Sequence, residues 1–281
     1  MKSWREKVDT ILYRWVQEFP SVPIPVRLPF GGWWLARNDF IGAALFCGGF
    51  ENPERLFVER FLHPGMTVLD IGAHHGFYTL LASRRVGSQG RVLAVEASPR
   101  ESKRLQLHLT INRCKNVEVE CCGLGESEGH GELHLVMGGQ NGCNSLRKPE
   151  TSEPTVVIPV HIQRLDSVLD RYNFKRVDFM KLDVEGGELS VLKGGTELLS
   201  RPLRPVILIE LQDVRTRPWG YPTREIVQFL FTNGYRWFKP LPAGTLEPRA
   251  ADAQEYDGNF VAIPEEKIGS LDVAGSSASP I

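Results

Sequence analysis

The chain has 281 residues, of which 33 are basic and 34 acidic, so its formal net charge is −1. Proteins that bind nucleic acid through the phosphate backbone need a strongly basic face, so this balance predicts no nucleic-acid partner. The five cysteines form no C-x-x-C pair. They therefore indicate neither a zinc site nor a disulfide framework, and they favour a reducing, cytoplasmic location.

Residues 1–50 are predicted to be an extension of the main domain. Ser3 and Glu6 form a capping box ahead of apolar residues at helical spacing, which predicts one amphipathic helix. We expect this helix to pack on the domain or across a homo-oligomer. Contact of its basic face with a membrane surface is the alternative. The apolar stretch from Phe40 to Phe50 is too short to span a bilayer.

Strands and helices alternate from residue 51 onward, which indicates a mostly parallel sheet with helices on both faces. Strands are predicted at 66–71, 91–96, 117–122, 178–183 and 205–211, and helices near 53–62, 76–86, 99–112, 186–200 and 223–233. Two more strands, at 131–137 and 156–161, flank a glycine-rich loop, and Tyr235–Lys239 pairs with Asn259–Ile263 in antiparallel fashion. The sequence thus predicts an α/β, Rossmann-like domain over residues 51–265, with a seven-stranded sheet and a disordered tail at 266–281.

The first core strand ends in an acidic glycine turn, in which Asp70, Gly72 and Gly76 form the pattern D-x-G-x-x-x-G. A dinucleotide fingerprint would instead be G-x-G-x-x-G, with room for a pyrophosphate. The Asp70 charge would repel a pyrophosphate, whereas it suits the ammonium and sulfonium of S-adenosylmethionine. Glu96 ends the next strand, where a carboxylate is expected to bond both ribose hydroxyls. Gly72 is expected to leave space for the backbone of this cofactor.

These motifs resemble the FkbM-type S-adenosylmethionine-dependent methyltransferases over roughly residues 50–265. The most specific match is Lys181–Glu188, which reads K-L-D-V-E-G-x-E and is followed by Val191–Gly194. The family usually has Asn where His74 stands. The resemblance implies a class I methyltransferase fold, S-adenosylmethionine as cofactor, and O-methylation of a hydroxyl on a small molecule or sugar. The candidate cofactor residues are Asp70, Gly72, Ala73, His74, Gly76, Phe77, Glu96, Ala97, Cys122, Gly123 and Asp183.

Two carboxylates follow the fourth strand, and we expect them to serve the chemistry. Methyl transfer from a sulfonium needs an acceptor oxygen aligned with the S–CH3 bond and a group that takes its proton. Asp183 is predicted to face the acceptor, with Glu185 or Glu188 fixing the following loop. His75 and His74 are the alternative bases, since an imidazole titrates near neutral pH.

Several alternatives remain open from the sequence. No clustered ligand set is evident, so no metal is predicted, although Asp183 with Asp213 and Asn141 is the metal-assisted alternative. Glu210 is the only charge in an apolar strand and is a candidate for positioning the acceptor. Residues 138–146, 215–221 and 30–34 are expected to set acceptor specificity. A non-catalytic adenosyl-binding scaffold and a nicotinamide-dependent oxidoreductase are the rival functions.

Overall fold

The computed structural model describes residues 22–46, 49–253 and 255–270, together with Glu18. The predicted N-terminal helix lies outside this part apart from Glu18, so its packing and its role in a homo-oligomer stay predictions. The predicted tail lies outside it from residue 271 onward. Residues 266–270 belong to a short 3-10 helix, Glu265–Ser270.

The helices and strands alternate along the chain as the hydrophobic pattern predicts. The strands are β1 (Ile24–Arg27), β2 (Trp33–Ala36), β3 (Thr67–Ile71), β4 (Arg91–Val95), β5 (Val117–Glu120), β6 (Gly123–Leu124), β7 (Gly129–Val136), β8 (Thr155–Gln163), β9 (Phe179–Leu182), β10 (Val206–Leu211), β11 (Tyr235–Pro240), β12 (Leu246–Arg249) and β13 (Gly258–Pro264). The helices are α1 (Phe40–Phe46), α2 (Asn52–Phe61), α3 (Phe77–Val86), α4 (Pro99–Ile111), α5 (Leu165–Arg171), α6 (Glu188–Gly194), α7 (Thr196–Leu199), α8 (Asp213–Thr216) and α9 (Thr223–Thr232).

The main sheet has the order β12-β11-β13-β10-β9-β3-β4-β5. Strands β5, β4, β3, β9 and β10 are parallel, and β13 lies antiparallel between β10 and β11. The α/β architecture is therefore confirmed. The chain leaves β3 toward β4 on one side and continues from β9 toward β10 on the other. Ligands of open parallel sheets bind at such a switch point, outside the carboxyl ends of the strands.

The sheet in the described chain has eight strands, one more than the seven predicted. The additional strand, β12, pairs antiparallel with β11 through a turn in which Gly244 has a φ of +73°. The sequence pattern missed it because Leu246–Arg249 contains Pro248 and two charged residues, which are poor strand formers. A proline is tolerated there because β12 is an edge strand.

Two other elements differ from the prediction. The helix predicted at 186–200 divides into α6 and α7 at Gly195. Glycine fits there because a Cβ would lie 2.8 Å from the Leu165 side chain. The strand predicted at 117–122 ends at Glu120. The chain then enters a second, three-stranded sheet of order β6-β8-β7, which holds the two additional predicted strands.

The core lies on both faces of the main sheet, because successive side chains of a strand point to opposite faces. Leu69 and Ile71 belong to the cluster on one face, and Val68 belongs to the cluster on the other. The β1–β2 hairpin covers α4 through Trp34, which is fully buried and stacks on His108 with ring centroids 4.0 Å apart. None of the described helices combines the length and the apolar composition that crossing a membrane requires.

Candidate active site

Two adjoining cavities open at the carboxyl ends of β3, β4, β9 and β10. We call the smaller one, about 70 Å³ and lined in part by Glu96, Ala97, Cys122 and Gly123, the narrow cavity. The larger one, about 420 Å³, is the wide cavity, and its walls include Phe40, Phe50, Phe77, Lys181, Glu210 and Arg215. Five residues line both cavities and form their shared rim: Gly72, His74, Gly142, Asp183 and Glu185. Two ligands could therefore meet at this rim.

Glu96 holds together the two loops that frame the narrow cavity. One of its carboxylate oxygens accepts the His74 backbone N–H at 2.7 Å, and the other accepts the Ser98 N–H at 2.8 Å. Burial raises the pKa of Glu96 to about 7, although these two hydrogen bonds lower it. Each carboxylate oxygen has more than one lone pair, so both can still accept hydrogen bonds from ligand hydroxyls.

The turn glycines are explained by contacts within the protein. Gly72 has a φ of +78°, and a Cβ there would lie 1.7 Å from the carbonyl oxygen of Asp183. At Gly76, with a φ of +90°, a Cβ would lie 2.3 Å from Leu105 in α4. Gly72 thus lets β3 approach the end of β9, and because it also lines both cavities, the expectation that it leaves space for the cofactor stays a prediction. Gly76 lines neither the narrow nor the wide cavity.

Asp70 lies at the base of the wide cavity and is almost completely buried. Its carboxylate accepts a hydrogen bond from the Thr79 hydroxyl in α3. Burial raises the pKa of Asp70 to about 6, while Thr79 and the Lys181 charge act in the opposite direction. A cationic ligand group beside Asp70 would favour its ionised form.

The two histidines of the turn lie beside each other, with ring centroids 3.6 Å apart, but they line different cavities. His74 lies on the shared rim with a φ of +50°, a conformation that Asn and His adopt more readily than most residues. This preference explains how His can stand where the family usually has Asn. Burial lowers the pKa of His74 to about 4, so its ring is neutral at physiological pH. His75 is 2 % exposed and lines a third cavity beside Arg104, so the structure does not bring this predicted base to the active site.

Asp183 belongs to a charged network inside the wide cavity. Its Oδ2 lies 3.0 Å from the Lys181 Nζ, and Lys181 also lies over the ring of Tyr78. Tyr78 in turn donates a hydrogen bond of 2.6 Å to Glu51. Burial alone would lower the pKa of Lys181, but the carboxylates of Asp183, Glu51 and Glu210 raise it, so Lys181 is a fixed cation.

Glu185 is the strained residue of the site. Its φ of +56° is rare for a residue with a side chain, and such strain often marks functional positions. Its Oε2 lies 3.0 Å from the Arg215 Nε. Burial and the nearby Asp183 carboxylate raise the pKa of Glu185 to about 8. Burial, Asp183 and Glu185 likewise raise the pKa of Glu210 well above its usual value.

The loop after β9 is held by Glu188. The sequence had indicated either Glu185 or Glu188 for this role. Its Oε1 accepts the backbone N–H groups of Val184 at 3.0 Å and Gly186 at 3.1 Å. Glu188 thus supplies the acceptor that the turn needs before α6 begins. Glu185 is therefore not needed to hold this turn, and it lies on the shared rim, paired with Arg215.

One cluster has the composition of a hard-cation site. Asp183, Glu185 and Glu210 each bring a carboxylate oxygen within 4.8 Å of the others, whereas the sequence showed no clustered ligands. Asp213, the ligand considered in the sequence, instead accepts the Thr223 N–H and hydroxyl at 2.8 Å. The position of the Asn141 side chain lies outside the described part. Because Lys181 and Arg215 already pair with two of the three carboxylates, we assign this cluster no metal.

The structure gathers most of the predicted site residues. Eight line the narrow cavity: Gly72, His74, Glu96, Ala97, Cys122, Gly123, Asp183 and Glu185. Asp70, Ala73 and Phe77 join four of these in lining the wide cavity. Of the predicted specificity segments, 138–146 and 215–221 contribute to both cavities, whereas 30–34 contributes to neither.

The sequence reasoning missed Glu51 and Lys181. Lys181 could have been found, since a lysine inside the buried strand β9 needs a counter-charge. Glu51 carried no signal, because its meeting with Lys181 depends on where α2 packs.

The comparisons with known proteins decide the family. Residues 70–237 match the family described as "Methyltransferase FkbM domain". The chain belongs to the FkbM methyltransferase family. It resembles Methyltransferase sdnD of Sordaria araneosa, with 30% identity over 178 residues that cover 54% of this chain and 68% of that protein. It also resembles Methyltransferase 1 of Beauveria bassiana (strain ARSEF 2860), with 27% identity over 143 residues, or 45% of this chain.

The chain spans 57% of the length of the Beauveria bassiana protein. Among solved structures, it resembles an O-methyltransferase from Bacillus cereus in complex with SAH. That match has 15% sequence identity and a TM-score of 0.45, and it covers 94% of this chain and 92% of the other.

Proposed function

We propose that this FkbM-family chain is an S-adenosylmethionine-dependent methyltransferase that methylates a hydroxyl group of a small molecule. The observation that carries the proposal is the shared rim, where a carboxylate of raised pKa, Glu185, lies between two adjoining cavities. One cavity suits the nucleoside and the other suits an acceptor. A non-catalytic adenosyl-binding scaffold, the alternative function, would need only the narrow cavity.

The residues of the narrow cavity fit an adenosine group. Glu96 offers both carboxylate oxygens at the end of β4, and Ala97, Cys122 and Gly123 form a smaller, less polar wall beside it. On the other side of the rim, the buried Asp70 suits the positive charges of the amino-acid part of the cofactor. When bound, S-adenosylmethionine supplies a methyl group activated by its sulfonium.

The chain's own task is then to hold the acceptor hydroxyl at the rim and to remove its proton. Asp183 and Glu185 are each paired with a cation at 3.0 Å, Lys181 and Arg215 respectively, so ion pairing does not distinguish them. The raised pKa of Glu185 does, and we infer that Asp183 orients the acceptor and that Glu185 takes the proton, which exchanges the two roles expected from the sequence. A base with a pKa of about 8 is matched to proton transfer near neutral pH. His74 is a weaker base, because burial keeps its pKa near 4.

Labelled methyl transfer tests the proposed function. The protein is incubated with methyl-labelled S-adenosylmethionine and fractionated metabolite pools, and the labelled product is examined for a new C–O–CH3 bond. Calorimetric titration with S-adenosylhomocysteine and with NADH is run in parallel. Transfer of the label to nitrogen or carbon would contradict O-methylation, and heat of binding with NADH alone would contradict the cofactor.

Substitution of Glu96 by Ala should weaken the binding of S-adenosylhomocysteine by roughly 2–4 kcal/mol, because two charge-assisted bonds to the ribose are lost. It should also lower the free energy of unfolding, since the His74 and Ser98 amides lose their acceptor. Titration calorimetry and urea unfolding measure the two effects. Glu118→Ala, in the adjacent strand β5, is the matched control and should leave affinity unchanged. Equal affinities of the two variants would place the ribose contact elsewhere.

Removal of divalent cations should leave methyl transfer unchanged. Lys181 and Arg215 already neutralise part of the carboxylate cluster, so a cation is not needed to hold Asp183 and Glu185 together. The rate is measured with the identified acceptor before and after dialysis against EDTA. A rate that falls on dialysis and returns with Mg²⁺ would show that the cluster binds metal and that the reaction is metal-assisted.

A further inference from the structure

The wide cavity contains more carboxyl groups than cationic groups. Among the described residues, its carboxylates are Glu51, Asp70, Glu150, Asp183, Glu185 and Glu210, and its cations are Lys181 and Arg215. Both cations already form ion pairs, Lys181 with Asp183 and Arg215 with Glu185, each with an N···O distance of 3.0 Å. An anionic ligand would find no unpaired cation among these residues, whereas a cationic ligand would meet several carboxyl groups and would favour their ionised forms.

Glu210 is the carboxylate that a ligand would satisfy. Glu51 and Asp70 accept hydrogen bonds from Tyr78 and Thr79, and Glu150 is exposed to solvent. The Glu210 side chain has no hydrogen bond and no ion pair to the described residues, while the backbone of its strand pairs with the neighbouring strands. An ammonium that enters the cavity would favour the ionised form of this half-buried carboxyl group and form a strong, charge-assisted hydrogen bond with it.

An aromatic wall provides a second feature that indicates a ligand. Phe40 lines the wide cavity although its side chain is 65% exposed. Its ring centroid lies 6.2 Å from that of Phe50, which lies 5.1 Å from that of Phe77. An exposed ring at the mouth of a cavity is typical of a surface that a ligand covers. Aromatic faces also attract organic ammonium ions.

We propose that the acceptor is an amino alcohol, whose protonated amine binds Glu210 and whose apolar part covers the phenylalanine wall. The Glu210 carboxylate lies within 4.8 Å of those of Asp183 and Glu185. The amine is therefore on the carbon next to the hydroxyl-bearing carbon, or one carbon further away. This inference rests on the proposed O-methylation, and it names the class of substrate.

Three related alcohols test it by binding, independently of turnover. Phenylalaninol carries an ammonium, hydrocinnamyl alcohol is neutral, and phenyllactate carries a carboxylate. Each is titrated calorimetrically into the protein in the presence of S-adenosylhomocysteine. Phenylalaninol should bind about tenfold to a hundredfold more tightly than hydrocinnamyl alcohol, and phenyllactate should bind most weakly.

Glu210→Gln should abolish this preference while the affinity for S-adenosylhomocysteine is retained, which also shows that the variant is folded. Glu132→Gln, on the exposed face of β7, is the matched control and should keep the preference. Phe40→Ala should weaken the binding of all three alcohols by a similar factor. Because the Phe40 side chain is exposed, its truncation should not impair folding.

Equal binding of phenylalaninol and hydrocinnamyl alcohol would overturn the inference, as would the absence of binding by all three at millimolar concentration. A preference that survives in Glu210→Gln would overturn the role of this residue. The proposed function fails in a different way. In that case the ammonium preference is present, but labelled methyl is transferred to no alcohol.

Discussion

Glu185→Gln should lower the rate of methyl transfer by about 10²–10⁴-fold, because glutamine keeps the size of the side chain but cannot accept the proton of the acceptor hydroxyl. Cofactor affinity should change little, since the loss lies in the transition state. Single-turnover transfer from labelled S-adenosylmethionine measures the rate, and calorimetry measures the affinity. Asp183→Asn is the matched variant and should cause the smaller loss if Asp183 only orients the acceptor.

The pH dependence of kcat/KM separates the two roles further. Glu185 acts as a base only when ionised, so kcat/KM should rise with pH, reach half its maximum near pH 8, the pKa of this group, and level off above it. The negative charge of Asp183 is one cause of that raised pKa. Asp183→Asn should therefore move the rising limb to lower pH, whereas Glu185→Gln should remove it. If Asp183→Asn removes the limb and Glu185→Gln retains it, the roles are those that the sequence first indicated.

Gly72→Ala should destabilise the domain by roughly 2–5 kcal/mol. The estimate combines a left-handed backbone conformation of about 1–2 kcal/mol with the cost of overpacking, about 1–3 kcal/mol. The added methyl would lie 1.7 Å from the Asp183 carbonyl oxygen, so either β3 or the end of β9 must move. Because Asp183 lies on the shared rim, transfer activity should fall together with stability. Urea unfolding and labelled transfer measure the two effects.

Gly65→Ala is the matched control for this prediction. Gly65 has a similar φ of +86°, but a Cβ there meets nothing within 4 Å. The free energy of unfolding of this variant should therefore fall only by the cost of the left-handed backbone conformation, and the variant should keep its activity. Equal unfolding free energies for the two variants would show that the contact between Gly72 and Asp183 is not a constraint on the fold.

The sequence predicted the parallel part of the fold because its strands are buried and strongly apolar. Val206–Leu211, for example, is an apolar run with one charge. Strand β12 could not be predicted, since Leu246–Arg249 becomes a strand only by pairing with the edge of β11. Tertiary pairing outweighed local preference there.

The site was predictable to the extent that its residues follow strand ends in sequence. Asp70, Glu96 and Asp183 follow or end neighbouring parallel strands, so their convergence is a property of the fold. Contacts between segments that are distant in sequence produce no local sequence pattern, so they could not be predicted. The contact of Arg215 with Glu185, the approach of Lys181 to Glu51, and the burial of His75 beside Arg104 depend on packing. The exchange of roles between Asp183 and Glu185 rests on the burial that raises the pKa of Glu185, which no local sequence pattern shows.

The shared rim has a consequence for the order of events in a catalytic cycle. Gly72, His74 and Asp183 form a wall of both cavities, so a nucleoside held by Glu96 becomes part of the surface that the second ligand meets. Under the proposed function, the complete binding surface for the acceptor would thus exist only after the cofactor has bound. Such an arrangement favours a sequential mechanism with compulsory order, in which the methylated product leaves before the spent nucleoside.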